Sequence, residues 1–372
     1  MLDLALNGID LGRQRGGNES YVQGLLTGLA KHPQIGALNV LVGAHWDVAG
    51  FPCRPHYVQT GPYRPIPYLL WQQSAALRKL SFDWYLSTFF LPFWAPARSA
   101  LLIHDLSFLS LPNAFPVSVR LYMRALVGSA VRRAQRIILL SEFVRSEFRR
   151  YYPAVPPARI GVVYPGYAPQ FTAVPQPADD VIRRRHGLPE SYVLTVSSIH
   201  PRKNILSLLQ AYELLLAASQ SALSLVIVGQ RYWGSQALEA RAQALGVKLL
   251  GYVPQTDLPA IYRGAHIMVY PSLYEGFGLP PLEGMASGVP VVCGDNTSLP
   301  EVVGATAADS LPAALMVDVR RPEAIAAALA RLFTDPDYCA SLRAAGLARA
   351  QAFSWDRTAL EMVTNLTSAS EL

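Results

Sequence analysis

The hydrophobic positions of this chain fall into short continuous runs, and most runs are followed by a stretch with helical spacing. Apolar runs without alternation are typical of strands that are buried on both faces, and their alternation with helices indicates parallel β-α-β units. The runs lie at residues 38–42, 84–87, 101–104, 137–140, 192–196, 225–228, 249–253, 267–270 and 289–293. The pattern predicts an α/β protein with two doubly wound sheets.

A change in composition near the middle of the chain predicts the boundary between two domains. The length of 372 residues suits two domains better than one core. Proline and glycine concentrate without periodicity from residue 152 to residue 177, and residues 165–190 are predicted to be a linker. We therefore expect domains at residues 1–165 and 166–352, followed by a terminal segment over residues 353–372.

The composition is that of an ordered globular protein, with 51% hydrophobic and 16% charged residues. The formal charge of +6 is unevenly spread, because residues 1–165 carry +9 and the remainder −3. An excess of this kind is compatible with nucleic acid, anionic lipid or a phosphorylated substrate. Cys53, Cys293 and Cys339 form no CxxC pair, which argues against a disulfide scaffold or a zinc ribbon.

The start of the chain lacks the features of an export signal. Asp3 and Asp10 interrupt the opening apolar run, and no run of about 18 apolar residues follows elsewhere. A cytoplasmic location is therefore predicted.

The most specific motif, residues 272–286, directly follows the run at 267–270. Gly276 and Gly278 permit a close approach of the backbone, and the prolines that follow suit the first turn of a helix. The N–H groups of Phe277, Gly278 and Leu279 would face an anion at that helix start. Glu275 and Glu283 are placed to accept hydrogen bonds from sugar hydroxyls.

Three further segments follow predicted strands. Arg202 and Lys203 lie where a strand passes into a helix and could bind a diphosphate through charge and backbone amides, although by themselves they are better explained as a solvated helix start. Gly16 and Gly17 could form a phosphate-facing loop, although neither a dinucleotide fingerprint nor a P-loop is present. His104 ends a strand and could contact a bound sugar, but taken alone both the loop and the histidine are better explained as structural.

No pattern in the sequence predicts a metal site. Asp335 and Asp337 form an Asp-Pro-Asp triplet, but it interrupts helical stretches and is better explained as turn and cap chemistry. His-x-x-x-His, cysteine clusters and the Gly-x-Ser-x-Gly elbow are all missing, so zinc and serine-hydrolase mechanisms have no local support.

Together these motifs resemble the retaining glycosyltransferases of family 4, which have the GT-B fold of two Rossmann-like domains facing a cleft. The resemblance extends from Gly16-Gly17 to the Phe353-Ser-Trp segment, and it is greatest to bacterial mannosyltransferases of polysaccharide or lipopolysaccharide assembly. It implies an N-terminal acceptor domain, a C-terminal nucleotide-sugar domain and a final helix over residues 353–372 that returns to the first domain. One departure is Ser197-Ser198, where many relatives have Gly-Arg.

For the C-terminal domain, the resemblance implies that Arg202 and Lys203 neutralise the donor diphosphate. Glu275 would hold the transferred sugar together with the Phe277 and Gly278 N–H groups, while the Leu279 N–H would reach a phosphate. Glu283 would accept hydrogen bonds from the ribose.

For the N-terminal domain, the resemblance implies that Gly16 and Gly17 belong to the donor-binding loop, with Gly17 approaching the phosphates. His104 would contact the sugar near its reacting carbon.

The implied reaction is hexosyl transfer with retained configuration and without a metal or cofactor, the nucleotide sugar being a co-substrate. The similarity of the motifs to those of bacterial mannosyltransferases favours GDP-mannose as the donor and a glycan or lipid-linked acceptor. UDP-glucose, UDP-N-acetylglucosamine and dTDP-rhamnose remain open as donors. An epimerase, a phosphorylase or a non-catalytic sugar-nucleotide-binding subunit also remains compatible. A glycosidase would leave Arg202 and Lys203 unexplained, and nucleic-acid binding has only the net charge in its favour.

The basic first half contains a stretch in which arginines alternate with apolar residues. We expect this surface to contact anionic lipid or a lipid-diphosphate acceptor at the inner face of the membrane, although solvated helix faces explain the pattern nearly as well. The arginines are Arg120, Arg124, Arg132, Arg133, Arg136, Arg145, Arg149 and Arg150.

Overall fold

A computed structural model of the chain describes residues 1–13, 16–43, 55–61, 64–96, 98–218, 224–230, 236–305 and 312–368. Cys53 lies outside these residues. The chain divides into two compact units: Met1–Gly166 together with the segment that begins at Phe353, and Tyr167–Ala352.

The first unit contains a parallel sheet of seven strands in the order β3-β2-β1-β4-β5-β6-β7. Its strands are β1 (Leu2–Asn7), β2 (Ile35–Val42), β3 (His56–Gln59), β4 (Trp84–Thr88), β5 (Ser99–Ile103), β6 (Arg136–Leu139) and β7 (Ile160–Val162). Its helices are α1 (Gly17–Lys31), α2 (Pro65–Pro67), α3 (Gln73–Leu77), α4 (Ser107–Ser110), α5 (Val117–Arg133) and α6 (Glu142–Tyr151), with a π-helical turn at Tyr68–Gln72 and 3₁₀ turns at Pro112–Ala114 and Pro157–Arg159.

The second unit contains a parallel sheet of six strands in the order β10-β9-β8-β11-β12-β13. Its strands are β8 (Tyr192–Val196), β9 (Ser224–Val228), β10 (Lys248–Gly251), β11 (Ile267–Tyr270), β12 (Val291–Gly294) and β13 (Leu315–Val317). Its helices are α7 (Asp179–Arg185), α8 (Ile205–Ala217), α9 (Gln236–Ala244), α10 (Leu258–Arg263), α11 (Leu279–Ala286), α12 (Leu299–Val302), α13 (Pro322–Thr334) and α14 (Pro336–Ala350), with a 3₁₀ turn at Pro201–Lys203.

Both sheets confirm the predicted doubly wound α/β architecture. The central strands are buried along their length, which is why they appear in the sequence as continuous apolar runs. In each sheet the winding direction reverses between two central strands, β1 and β4 in the first unit and β8 and β11 in the second. Such switch points open a crevice at the carboxyl ends of the strands, where α/β proteins bind their ligands.

Three local predictions differ from the structure. The run at 249–253 ends as a strand at Gly251, which adopts a left-handed φ of 67°. The run at 289–293 begins as β12 only at Val291, since Pro290 has no N–H for the ladder. Residues 165–190, expected to be a linker, contain α7, where acidic Asp179 and Asp180 occupy the first turn and three arginines the last.

The C-terminal helix (Trp355–Ser368) packs on α1 within the first unit. Trp355 lies directly against two glycines of α1. A Cβ atom built on Gly24 would lie 1.8 Å from Cε2 of Trp355, and one on Gly28 would lie 2.1 Å from the Trp355 carbonyl oxygen. The two helices can therefore approach this closely only because α1 carries glycine at both positions.

Gly28→Ala is expected to destabilise the protein by about 1–3 kcal/mol, because the new methyl group meets rigid backbone. Gly128→Ala in α5 is the matched control, since its Cβ would come no closer than 3.8 Å, to an Arg132 nitrogen. Removal of a helical glycine should stabilise that variant by about 0.5–1 kcal/mol. Thermal unfolding of both variants tests the close packing of Trp355 on Gly28. This packing is contradicted if the two melting temperatures move in the same direction.

Candidate functional site

The switch point of the second sheet brings together two sequence motifs that lie about seventy residues apart in the chain. Arg202 and Lys203 end the short 3₁₀ turn that follows β8, and Glu275 lies in the loop that follows β11. Because β8 and β11 are parallel neighbours, both loops leave the same edge of the sheet. The Leu273 N–H also donates to the Arg202 carbonyl at 2.8 Å, which fixes one loop against the other.

A buried ion pair occupies this edge. The Lys203 ammonium lies 2.5 Å from Oε1 of Glu275, and both side chains are less than a tenth exposed. The Tyr270 hydroxyl completes a triangle, because it accepts from Lys203 Nζ at 2.7 Å and donates to Glu275 Oε1 at 3.0 Å. Each polar group at the centre of the site therefore has a partner, as burial requires.

Arg202 adds a second positive charge beside the pair. Its Nη1 lies 3.6 Å from Glu275 Oε2 and donates to the Tyr274 carbonyl at 3.1 Å. Two cations therefore face one carboxylate, and the cluster keeps a net charge of +1. Such a cluster favours an anion in the adjacent crevice.

The charges of the cluster determine the protonation state of Glu275. Burial raises the pKa of this carboxyl, but the attraction of Lys203 and Arg202 is stronger in sum, so that its pKa is lowered below the ordinary value. Burial and the negative charge of Glu275 raise the pKa of Tyr270 well above its usual range. At neutral pH the carboxylate is ionised and the phenol keeps its proton.

The start of α11 presents backbone donors next to the ion pair. Gly278, the N-cap residue, has a left-handed φ of 114°, which glycine adopts without strain. Leu279 is the first helical residue, and the two prolines after it have no N–H. Leu279 is therefore the only one of the first three helical residues that can donate, which focuses the anion-binding capacity of the terminus on it and on the loop before it.

A serine behind the loop fixes its shape. The hydroxyl of Ser298, which is fully buried, lies 2.7 Å from the Phe277 carbonyl oxygen and 3.0 Å from that of Glu275. The Glu275 N–H donates to Thr297 Oγ1 at 3.2 Å. These contacts bond two carbonyl groups and one N–H group of the loop and so fix its backbone.

Glu283 lies in the second turn of α11 and is bonded to a tyrosine rather than to a cation. The Tyr262 hydroxyl donates to Glu283 Oε2 at 2.9 Å. Burial raises the pKa of Glu283 to about 7, and the hydrogen bond from Tyr262 only partly opposes this rise. The proton of Glu283 therefore exchanges near neutral pH, whereas Glu275 stays ionised.

In the first unit, residues that follow three adjacent strands meet at the carboxyl edge. His104 follows β5, Asn18 lies in the first turn of α1 after β1, and Phe89 follows β4. The Nδ1 atom of His104 lies 3.0 Å from Asn18 Oδ1, and the Phe89 ring packs against the imidazole at 5.4 Å. The structure thus brings His104 close to the helix that begins at Gly17.

The environment of His104 keeps its imidazole neutral. Burial lowers its pKa to about 4, with Asp105 acting in the opposite direction. Because an amide oxygen can only accept, Nδ1 carries the proton and Nε2 is left as an acceptor. Nε2 is buried and has no hydrogen-bond partner among the described residues.

The glycine loop before α1 is described from Gly16 onward, and residues 14 and 15 lie outside the described residues. Gly16 has a left-handed φ of 59°. Cβ atoms built on Gly16 and Gly17 would meet no atom of the described residues within 4 Å.

Several polar residues near the motifs have local structural roles. His200 accepts from the Arg202 N–H at 3.2 Å and caps the 3₁₀ turn, while Asp105 accepts from Ser107 at the start of α4. The Asp335 carboxylate accepts from the Tyr338 N–H at 2.9 Å, which confirms the predicted cap. Within the described ranges, no group of three or more His, Cys, Asp and Glu side chains could hold a metal ion. The absence of a metal requirement stays a prediction.

Sequence reasoning missed the hydrogen-bond partners of the motif residues. Tyr270, Tyr262 and Asn18 each bond a predicted site residue, yet in the sequence they look like one ordinary strand residue and two ordinary helix residues. The position of Tyr270, directly at the end of the β11 run, was the one signal that could have identified it.

Both halves of the chain match glycosyltransferase families. Residues 15–171 match the family described as Glycosyltransferase Family 4, and residues 179–349 match the family described as Glycosyl transferases group 1. The two matched ranges contain the His104 cluster and the Lys203–Glu275 cluster, respectively.

Relatives and solved structures agree with these matches. The chain is 36% identical over 275 residues to O-antigen chain mannosyltransferase B of Escherichia coli, covering 72% of this chain and 69% of the relative. It is 29% identical to the serotype-specific mannosyltransferase WbdA of Escherichia coli, covering 71% of this chain but only 32% of the relative. Sucrose-phosphate synthase from Thermosynechococcus elongatus shares the fold with a TM-score of 0.76 at 23% identity, covering 98% of both chains. The fold, the two family matches and the first of these relatives together show that the chain belongs to the GT-B glycosyltransferases of family 4 and group 1.

Proposed function

We propose that this glycosyltransferase moves mannose from GDP-mannose to a glycan or lipid-linked acceptor, with retention of configuration and without a metal ion. The observation that carries the proposal is the buried Lys203–Glu275 pair with Arg202, located at a switch point beside the start of α11. The choice of mannose rests on the names of the relatives, two of which are O-antigen or serotype-specific mannosyltransferases.

The donor chemistry requires the charges that this site contains. Cleavage of the bond between the anomeric carbon and the diphosphate oxygen leaves the electron pair on the diphosphate and positive character on the sugar. Arg202, Lys203 and the Leu279 N–H would stabilise the departing diphosphate. Since Tyr270 and Glu275 hold the ammonium in place, little reorganisation is needed during the reaction.

The acceptor half of the reaction completes the proton balance. The acceptor oxygen forms its bond to the anomeric carbon on the face from which the diphosphate departs, and its proton passes to a phosphate oxygen of the leaving group. Glu275 has oxygen lone pairs beyond those used by Lys203, Tyr270 and Arg202, so it can also accept from a sugar hydroxyl. Within the first unit, the neutral Nε2 of His104 is available as an acceptor for a substrate hydroxyl.

The acceptor would be presented at a membrane surface by the first unit. We define the apolar patch as a group of exposed side chains on α2, the π-helical turn, the loop after β4 and α5. The Phe93 N–H donates to the Leu69 carbonyl at 2.9 Å, and the Phe90 and Tyr122 rings lie 6.3 Å apart, so these segments adjoin. The patch consists of Ile66, Leu70, Trp71, Phe93, Trp94, Val117, Leu121 and Tyr122.

The basic stretch contributes only some of its arginines to this surface. Arg124 and Arg132 are exposed on α5. Arg136 is buried, contrary to the expectation for the stretch, because its guanidinium bonds to the Ala158 carbonyl and to Asn365. Exposed apolar rings flanked by arginines fit the interface of an anionic bilayer at the cytoplasmic side. Along the described part of the chain, no helix is long and apolar enough to span a bilayer.

The wild-type protein is expected to bind GDP more tightly than UDP and to transfer mannose from GDP-mannose with undiminished rate in EDTA. Lys203→Met should lower the transfer rate by at least about a hundredfold, because one stabilising charge is worth about 3 kcal/mol in such a site. Titration calorimetry with GDP and UDP, and NMR of the anomeric configuration of the product, provide the measurements.

Lys203→Met also removes the ammonium group that lies nearest to the buried Glu275 carboxylate, which should cost roughly 3–5 kcal/mol of stability. The double variant Lys203→Met with Glu275→Gln removes that penalty and should recover stability but not transfer. Lys79→Ala, an exposed lysine in the first unit, is the control and should keep full activity. Normal turnover in the stable double variant, or an inverted product, would reject the proposed mechanism.

Nucleotide affinity should depend on pH through Glu283. Below pH of about 7 the carboxyl is protonated and a poorer acceptor for ribose hydroxyls, so the Kd for GDP should fall as pH rises from 6 to 8, by up to about tenfold. Titration calorimetry across this range measures the change. A Glu283→Gln variant should show a flat profile.

The stability of the free protein should change in the opposite direction. The folded state holds the Glu283 proton more tightly than the unfolded chain does, so the free energy of unfolding should fall by about 3 kcal/mol between pH of about 4.5 and 7 and then level off. If the Kd for GDP and the free energy of unfolding of Glu283→Gln depend on pH as they do in the wild-type protein, the assignment of this titration to Glu283 is wrong.

If the apolar patch contacts a membrane, the protein should co-sediment with vesicles that contain phosphatidylglycerol. It should co-sediment much less with vesicles of pure phosphatidylcholine. The double variant Trp71→Ala with Phe93→Ala should bind about tenfold less, because both rings lose their place in the interface. Leu360→Ala is the matched control, being an exposed apolar residue on the C-terminal helix. Equal sedimentation with both lipids, or equal loss in the control, would count against the membrane surface.

A further inference from the structure

The second unit contains a cavity of about 280 Å³ that the proposed reaction does not use. It lies between α7, the end of α10, the end of α11 and α14. The residues that decide its chemistry are Asp179, Asp180, Arg183, Arg263, Ser287 and Arg343.

The cavity lies at the opposite edge of the sheet from the ion pair. Its residues Arg263–Ala265 directly precede β11, and Ser287 and Gly288 precede β12. Lys203 and Glu275 instead follow strands, at the carboxyl edge. Because all strands of this sheet are parallel, residues before strands and residues after strands lie at opposite edges. The cavity is therefore separate from the site of the diphosphate.

One wall of the cavity is a rigid buried ion pair. The Arg263 guanidinium donates to both carboxylate oxygens of Asp179, at 2.6 and 2.8 Å, and a third nitrogen reaches the Gln170 and Thr172 carbonyls. The Gln176 N–H donates to the same carboxylate at 2.9 Å. The bonds from Arg263, together with that backbone donor, lower the pKa of Asp179 despite its burial. This wall holds its shape without a ligand.

Two other groups that line the cavity, Ser287 and Arg343, have hydrogen-bond donors available for a ligand. Ser287 is only 4% exposed, yet its hydroxyl has no hydrogen-bond partner in the part of the chain that is described, an arrangement that is costly for a buried polar atom. Arg343 makes no ion pair with the described residues, while Arg183 is paired with Asp180. Three arginines thus face two aspartates, and one positive charge remains uncompensated.

We propose that this cavity binds a phosphate monoester of monosaccharide size. The Arg343 guanidinium would bind the phosphate through charge-assisted hydrogen bonds, and the Ser287 hydroxyl would donate to it after its side chain rotates toward the cavity. A phosphate group alone fills only part of 280 Å³, and the Asp180 carboxylate provides an acceptor for sugar hydroxyls in the remainder. The size and mixed polarity of the cavity suit a sugar phosphate better than a nucleotide.

Titration calorimetry of the full chain with mannose 6-phosphate, inorganic phosphate and mannose tests the proposal. Mannose 6-phosphate should bind the wild-type protein, and the other two should bind at least about tenfold more weakly. Arg343→Gln and Ser287→Ala should each raise the Kd for mannose 6-phosphate, the former by about tenfold or more. Arg343 is exposed, so its replacement does not disturb the core.

The stable double variant Lys203→Met with Glu275→Gln separates this site from the donor site. It should bind mannose 6-phosphate normally while losing GDP, whereas Arg343→Gln should bind GDP normally. Loss of mannose 6-phosphate binding in the donor-site variant, an unchanged Kd in Arg343→Gln, or equal binding of inorganic phosphate would each overturn the proposal. Failure of GDP to bind the wild-type protein would affect only the proposed transferase reaction.

Discussion

The buried contact between Lys203 and Glu275 is the constraint on which the rest of the donor site depends. Removal of an ammonium and a carboxylate from water costs several kcal/mol for each ion, and only close pairing with further hydrogen bonds offsets this cost. Here the pairing distance is 2.5 Å and Tyr270 bonds to both groups. The two loops that carry the charges are therefore held in one arrangement by the penalty of separating them.

The fold makes that contact possible. A parallel sheet places the residues that follow its strands at one edge, and the reversal of strand order between β8 and β11 leaves space there. Arg202 then gives the cluster its net positive charge, and the start of α11 adds backbone donors. Structural stability and anion affinity thus arise from the same groups, because a site built to stabilise one carboxylate with two cations keeps charge for a second anion.

The two glutamates of the α11 motif differ in a way that their spacing does not reveal. Glu275 faces cations and its pKa is lowered, whereas Glu283 faces the buried phenol of Tyr262 and its pKa rises to about 7. Their partners come from β11, the 3₁₀ turn and α10, so the difference appears only when these elements are packed together. The same holds for His104, whose neutral state follows from burial beside Phe89 and Tyr21 and whose tautomer is set by the bond to Asn18.

The sequence by itself determined the fold class, the positions of the main strands to within a few residues and the motifs that border the site. It could do so because apolar runs, glycines and prolines act on the chain locally: a run such as 267–270 needs burial on both faces wherever it lies, and Gly278 needs no distant partner to adopt its φ. Only the tertiary structure decided that Tyr270 bonds the ion pair, that Arg136 is buried, that α7 forms inside the expected linker and that Ser287 faces a cavity. These outcomes depend on contacts between residues far apart in the chain, and burial, which sets the energy of every charge and hydrogen bond here, is a property of the packed structure.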